Sequence, residues 1–412
     1  MKQIKKLIFS TLIIFFLLGN VSNSANLKID SGAALLVETS SDKIIYEKNI
    51  NTKMYPASVT KILTAILVLE NCNLTDIATV SSNAVNSIPT GYVNAKLQPG
   101  EELSIRDLLY VLMVSSANDS AVVLAEHVAG TVENFSDMMN EKAISIGCTG
   151  THFVNPNGIH NVNHYTTAND LYLMAKYGMQ NSTFREIVSK TSCTLPATNR
   201  YPATDRTFST TNELIRINNN TRPDNYYYKY ATGIKTGYTS EAKNCLVASA
   251  FRDNLEFIAV VLGGGTTDAG LSARFLDTIH LFDYGYENYT LTKIKEANDI
   301  IKTVEIAKGT KETKNLNLLI EDSITVINNK STDAINIIPD ITLNEGLQAP
   351  VSKGDIVGTI TYLVEDIEYS SQLIASDDVK KKIDISVYLV GGGLVVLILA
   401  VALMPKKKKK RK

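Results

Sequence analysis

The 412-residue chain predicts an α+β fold. Strand-like segments lie near the start and again from Gly233 to Gly264, and they bracket a middle rich in helical periodicity. From residue 291 the texture changes to short apolar runs separated by turns, which predicts a separate small all-β domain over 291–372. The bracketing implies that strands from both ends of residues 25–290 meet in one largely antiparallel sheet, with a helical cluster beside it.

The elements follow in order. "GAALLVE" and "KIIYEKN" flank the polar turn "TSSD" and read as a hairpin. A helix from about Ser58 to Glu70 carries Ile62, Leu63, Ile66, Leu67 and Leu69; it is apolar nearly all round and belongs in the interior. "SIRDLLYVLMV" opens a second helix, with Ser104 as N-cap and Asp107 three residues on. "DSAVVLAEHVAG" and "FSDMMNEKAISIG" are helical and stop at Gly130 and Gly147. "NPNG" at 155–158 is a turn, and "TTANDLYLMAKYG" starts a helix behind a Thr cap. "GIKTGYT", "CLVASAF" and "LEFIAVVLGG" are successive strands, and "AGLSARFLDTIHLFDYG" is a closing helix. Beyond 291, "TVEIAKG", "LNLLIED", "SITVINN", "ITLNEG" and "IVGTITYLV" are short strands.

The two ends read differently from the body. Lys2, Lys5 and Lys6, the apolar run Leu7–Leu18 and the small residues Ser22 and Ser24 have the pattern of a secretory signal over 1–24, cleaved near Ala25. A linker over 373–384 leads to 385–404, a stretch without a charge that as a helix is about 30 Å long, the thickness of a bilayer core. "KKKKKRK" follows within a basic tail, 405–412, which places that end on the cytoplasmic side of a single-pass membrane protein and the body outside the cytoplasm. A wall-sorting tail would need a Leu-Pro-x-Thr-Gly signal, which does not occur. With the ten terminal cations set aside, 31 basic residues face 42 acidic ones, a formal charge of about −11 that speaks against a nucleic-acid partner. Cys72, Cys148, Cys193 and Cys245 form no CxxC pair and allow three disulfide pairings; small apolar filling is the simpler reading for most of them.

Three segments carry candidate chemistry. In "YPASVTKILTAILVLE" a hydroxyl, Ser58, stands three residues before an amine, Lys61, where a polar loop meets a buried helix. An amine can take a proton from a hydroxyl only when neutral, and burial lowers its pKa. Ser40/Lys43 and Ser240/Lys243 repeat the spacing, but in polar turns. Ser116-Ala117-Asn118 interrupts two helical stretches; it reads either as a helix junction with capping side chains or as a proton-relaying hydroxyl beside a substrate-orienting amide. Lys235-Thr236-Gly237 lies on a strand, where a cation beside a hydroxyl suits a carboxylate and glycine permits close approach to the backbone.

In this order, SxxK, SxN and KTG, the chain resembles the penicillin-recognising serine enzymes, and more narrowly the low-molecular-mass D-alanyl-D-alanine carboxypeptidases. The resemblance takes in "PASVTKILTA", "SSANDSAVVLAE", "FVNPNGIHNVNHYTTANDL", "GIKTGYTSEAKNCLVASA" and "APVSKGDIVGTI". It implies a serine β-lactamase/transpeptidase-like domain followed by the β domain and the membrane anchor. It further implies that Ser58 is acylated by the penultimate D-Ala of a peptidoglycan stem peptide, with Lys61 as base and Ser116 passing the proton to the departing D-Ala. Asn118 would hold the substrate amide and Lys61; Lys235 and Thr236, followed by Gly237, would bind the terminal carboxylate; the N–H groups of Ser58 and Tyr238 would form the oxyanion hole. No metal or organic cofactor is implied, and β-lactams are expected to acylate Ser58.

The chain departs from its relatives in the Ala of SAN, in the aromatic "RINNNTRPDNYYYKY" before KTG, and in a tail that reads as a spanning helix. A class A β-lactamase would need a Glu between the second and third motifs, and "THFVNPNGIHNVNHYTT" has none. His152, His160 and His164 raise the possibility of a zinc hydrolase, but Pro156 breaks any helix there and no HExxH occurs. A DD-endopeptidase on the same fold, and a scaffold protein that keeps the fold without the chemistry, complete the alternatives.

Overall fold

The computed structural model describes residues 27–202, 206–217, 226–331 and 337–383. The expected signal (1–24), membrane helix (385–404) and tail (405–412) fall outside them. Among the described residues no helix is long and apolar enough to cross a membrane. The chain forms two compact units that divide after Thr290.

The first unit is built on five antiparallel strands. Ala33–Glu38 (β1) and Lys43–Lys48 (β2) form the expected hairpin, whose turn is tied by the Glu38 carboxylate accepting from the N–H and hydroxyl of both Ser40 and Ser41. Ala231–Thr239 (β3), Lys243–Arg252 (β4) and Leu255–Gly264 (β5) come from the other end of the unit. The sheet order is β2-β1-β5-β4-β3, and the junction between the two ends is the β1–β5 ladder, Ala33 opposite Leu262 through Glu38 opposite Phe257. β3 is an edge strand, open to a ligand on one side.

The helices are Lys61–Asn71 (α1), Ile105–Val114 (α2), Asn118–Ala129 (α3), Val132–Ile146 (α4), Ala168–Met179 (α5), Ser182–Val188 (α6) and Ala273–Asn288 (α7), besides a short one at Ser82–Asn86. Helix α1 is the hub: Ile62, Leu63, Ala65 and Val68 are wholly buried against α2, α3, α4 and α5. Burying each of the Ile, Leu and Val side chains contributes about 1.5–3 kcal/mol. Caps fall where the side chains allow them. Ser104 Oγ accepts from Asp107 N–H, Thr167 Oγ1 from Asp170 N–H, and Gly130 and Gly147 end their helices at positive φ. Helix α6 and the small ribbons Ile77–Thr79/Glu102–Ser104 and Ser192–Leu195/Arg206–Ser209 add to the expected elements.

In the second unit the strands Ile300–Glu305, Asn315–Ile320, Ile367–Ala375, Ile356–Val364 and Asp340–Leu343 pair in that order around a core that includes Leu318, Val326 and Ile360. The expected linker at 373–384 is corrected here. Leu373 and Ala375 finish the last paired strand and Val379 is buried in the same core, with an isolated bridge reaching Lys381. The alternation of "SSQLIAS" continues the strand begun at Ile367 and cannot be read as linker once its partner strand is known. All four cysteines are free thiols; burial pushes Cys148 up to about 12 and Cys245 up to about 11, as expected of inert fillers.

Candidate active site

The chain leaves Pro56 in a 3-10 turn, Ala57–Thr60, and only Lys61 begins the α-helix. The expected helix start at Ser58 is therefore shifted by three residues. The Lys61 N–H donates to the Ser58 carbonyl three residues back, the bonding of a 3-10 helix, and Ala57 enters the turn at φ +48°. The 3-10 turn has a purpose in geometry: its side chains at i and i+3 eclipse each other. Lys61 Nζ consequently lies 2.8 Å from Ser58 Oγ. Ser58 is half-buried and reaches a cleft of about 430 Å³, whereas Lys61 is fully buried beneath it.

Two further segments close on the amine. Lys61 Nζ donates to Asn118 Oδ1 (2.8 Å) and to the Asn157 carbonyl (2.6 Å). Asn118 opens α3, and its Nδ2 donates to the Val93 carbonyl at 2.8 Å, which sets the amide's orientation. The neighbouring Asp119 carboxylate accepts from Ala95 and Leu97 N–H and so pins the 93–97 loop whose Val93 lines the cleft. Asn157 belongs to the predicted "NPNG" turn, which the Asn155 side chain closes by accepting from Gly158 N–H. Ser116 lines the same cleft at φ +69°, a conformation costly for a residue with a Cβ and therefore imposed by its surroundings.

Strand β3 forms the opposite wall. Gly237 packs on the 3-10 turn: a Cβ there would stand 2.9 Å from the Pro56 carbonyl oxygen and 3.0 Å from the Ser58 nitrogen. Alternation along the strand turns Thr236 and Tyr238 the other way. Both line the cleft, Thr236 Oγ1 sharing a 2.5 Å hydrogen bond with Thr211 Oγ1 and Tyr238 largely exposed. Lys235 is buried behind that wall, its Nζ donating to the Thr236 carbonyl.

This convergence invites comparison with known proteins. A family model described as D-alanyl-D-alanine carboxypeptidase matches residues 20–266. The chain belongs to that family. A second model, the C-terminal domain of penicillin-binding protein 5, matches residues 289–381. The carboxypeptidase is 30% identical over 394 residues to D-alanyl-D-alanine carboxypeptidase DacF of Bacillus subtilis, covering 91% of this chain and 95% of the relative. Among solved structures it is similar to penicillin-binding protein 5 of Haemophilus influenzae, with 25% identity, TM-score 0.66, and 86% and 98% of the two chains covered. It is also similar to the Streptomyces K15 DD-transpeptidase, with 31% identity, TM-score 0.56, and 63% and 98% covered.

Electrostatics set the carboxypeptidase's cleft apart from an ordinary cavity. Burial, then the nearby Lys235 charge, holds the Lys61 amine well below its usual range; Asp119 opposes this only in part. Burial and then Arg274 bring Lys235 down to about 7. Four contributors escaped sequence reasoning. Arg274, in the first turn of α7, lines the cleft and donates from Nη1 to the Gly237 carbonyl at 3.0 Å. Thr211 braces Thr236, and Asp119 braces the 93–97 loop. His164 braces the turn that holds Ser58. Its Nδ1 accepts from Val154 N–H, so its proton is on Nε2, 2.9 Å from Thr60 Oγ1, and that hydroxyl donates to the Ala57 carbonyl. Burial keeps the ring neutral, with a pKa of about 3. No group of three or more metal-ligating side chains forms among the described residues.

Proposed function

We propose that this carboxypeptidase removes the terminal D-alanine of peptidoglycan stem pentapeptides through an acyl-enzyme on Ser58. The observation that carries the reading is the hydrogen-bond pattern of Lys61. A neutral amine has two N–H bonds and one lone pair. Asn118 Oδ1 and the Asn157 carbonyl take the two N–H bonds, which leaves the lone pair for the Ser58 hydroxyl 2.8 Å away. Burial supplies the neutrality.

Ser58 Oγ attacks the penultimate carbonyl as its proton passes to Lys61 Nζ. Ser58 and Tyr238 N–H stabilise the oxyanion, a donor of this type being worth roughly 3 kcal/mol. Ser116 relays the proton to the departing amine, the C–N bond breaks and D-alanine leaves. Water then cleaves the Ser58 ester. Thr236, backed by Lys235 and flanked by Arg274 and Thr211, receives the terminal carboxylate; Asn118, with one N–H bond free of Val93, orients the substrate amide. No metal or organic cofactor has a role. β-Lactams enter as acylating mimics of the D-Ala-D-Ala end.

Incubation of the full-length chain with a stem pentapeptide is expected to give a product one alanine lighter by mass spectrometry. Benzylpenicillin is expected to leave a covalent adduct that peptide mapping places on Ser58 and that Ser58→Ala lacks. Cleaved cross-links without alanine loss would replace this reading with an endopeptidase, and rapid turnover of nitrocefin would replace it with a β-lactamase. We also assign the body to the outer side of the cell membrane, secreted by the 1–24 segment and tethered by 385–404. The uncharged run and the basic tail support this. Deletion of 385–412 is expected to move the protein from the membrane pellet to the soluble extracytoplasmic fraction; retention in the pellet would refute the tether.

A further inference from the structure

The walls of the cleft continue past the catalytic groups. On one side the β3–β4 hairpin presents Thr239 and Ser240 to the cleft, and the next three residues, Glu241, Ala242 and Lys243, line a second cavity of about 470 Å³. On the other side Gly158 and Ile159 line the cleft, while Val162 and Tyr165 of the same loop line the second cavity. His160 stands between these pairs. Its ring packs edge-on against Tyr55, with centroids 4.6 Å apart, and its Nδ1 is buried with no hydrogen-bond partner among the described residues. It lies near enough to Glu241 to help hold that carboxyl below its usual range, behind the larger effects of Ser240 and the local backbone.

The second cavity has an apolar base and a mixed charge. Met54, Tyr55 and Ala242 contribute the base. Glu241, Lys243 and Lys53 contribute the charge, with Lys53 Nζ standing 4.3 Å over the Tyr165 ring. One carboxylate and two ammonium groups around one hollow match neither a simple cation nor a simple anion.

Direction along β3 decides what arrives there. In the acyl-enzyme reading, on which this inference rests, the substrate's carboxylate lies toward Thr236 and its scissile carbonyl at Ser58 and Tyr238. The acyl portion must then run along the open edge of β3 past Thr239 and Ser240. β3 ends at Thr239 and Glu241 stands in the turn that follows, three residues and at most about 10 Å from Tyr238. That span is one peptide unit plus an extended side chain. We propose that this cavity is the subsite for the side chain of the residue preceding the penultimate D-alanine, and that it selects a side chain ending in both an ammonium and a carboxylate. Glu241 receives the ammonium; Lys243 and Lys53 receive the carboxylate.

The test uses the full-length chain and three peptides ending in D-Ala-D-Ala. They differ only in whether the preceding side chain ends in a methyl, an ammonium, or an ammonium with a carboxylate. The wild type is expected to show kcat/KM rising by about tenfold from the first to the third, with the increments shrinking at high salt, since the groups are solvent-exposed. Glu241→Gln is expected to abolish the step from methyl to ammonium. Lys243→Gln is expected to shrink the step from ammonium to the zwitterion, and Lys53→Gln combined with Lys243→Gln to abolish it. Equal kcat/KM for the three peptides in the wild type, or unchanged ratios in Glu241→Gln, would overturn the subsite while leaving the acyl-enzyme intact. Failure of the acyl-enzyme reading shows itself separately, as wild-type protein that gains no penicillin adduct on Ser58, and would remove the subsite with it.

Discussion

Lys61→Met is expected to lower the rate of penicillin acylation by about 10²–10⁴-fold, the usual contribution of a positioned general base. Lys61→Arg is expected to fall as far, because a guanidinium keeps its charge and cannot accept the proton. Time-resolved labelling with a fluorescent penicillin measures both. The wild-type rate is expected to rise with pH through the depressed pKa of Lys61, because only the neutral amine accepts the proton, and Lys61→Met should lack that limb. Lys235 is the second cause of the depression, after burial. Lys235→Gln should therefore move the limb to higher pH, besides weakening carboxylate binding. Stability carries the same signature. The unfolded chain holds the Lys61 proton up to the ordinary value of 10.5, while the folded chain gives it up well below. Between those values the unfolded state binds more protons, so stability rises with pH. Urea denaturation at about pH 7 and about pH 9.5 should show the wild type gaining on Lys61→Met across that interval. Wild-type acylation by Lys61→Met, or a stability difference flat in pH, would remove the neutral amine from the mechanism.

The segments that meet at Ser58 were readable because each is polar where its neighbours are apolar. Ser58 and Lys61 stand at the head of the helix at the centre of the core, Ser116 and Asn118 break two buried helices, and Lys235 sits in a strand buried from Gly233 to Gly237. Residues that act through tertiary position gave no such contrast. Arg274 looks like any charge in the first turn of a helix until α7 is placed beside Gly237. His164 and His160, four residues apart, suggested ligand spacing, yet the ring of His164 is spent between Val154 and Thr60. Local turn geometry was equally silent. Nothing in "PASVTK" distinguishes an α-helix begun at Ser58 from a 3-10 turn that delivers Ser58 to Lys61, because the difference lies in whether backbone N–H groups bond three or four residues back. The β domain's end was misplaced for a related reason: burial of Leu373 and Val379 depends on strands from elsewhere in the unit.

Gly158→Ala is expected to cost at least about 10²-fold in acylation rate although Gly158 contributes no functional group. A Cβ at Gly158 would stand 1.9 Å from the Ala57 carbonyl oxygen, 2.4 Å from its carbon and 2.9 Å from Thr60 Oγ1, and the residue's φ is +82°. The nearest obstacles are backbone atoms, which have no rotamer to yield, so either the Asn155–Gly158 turn or the Ala57–Thr60 turn must move. The first holds the Asn157 carbonyl against Lys61; the second carries Ser58. A displacement of about 1 Å between nucleophile and base is enough for a loss of that size. The strained backbone adds about 1–3 kcal/mol of destabilisation, visible as a lowered melting temperature with the far-UV circular dichroism retained. Gly237→Ala supplies the comparison. Its Cβ would meet the same turn from the β3 side at 2.9–3.1 Å, a smaller intrusion without positive φ, so its loss should be the lesser of the two. If the two variants acylate at the wild-type rate, the turn tolerates displacement, and the fixed 2.8 Å approach of Lys61 to Ser58 is not what makes the hydroxyl reactive.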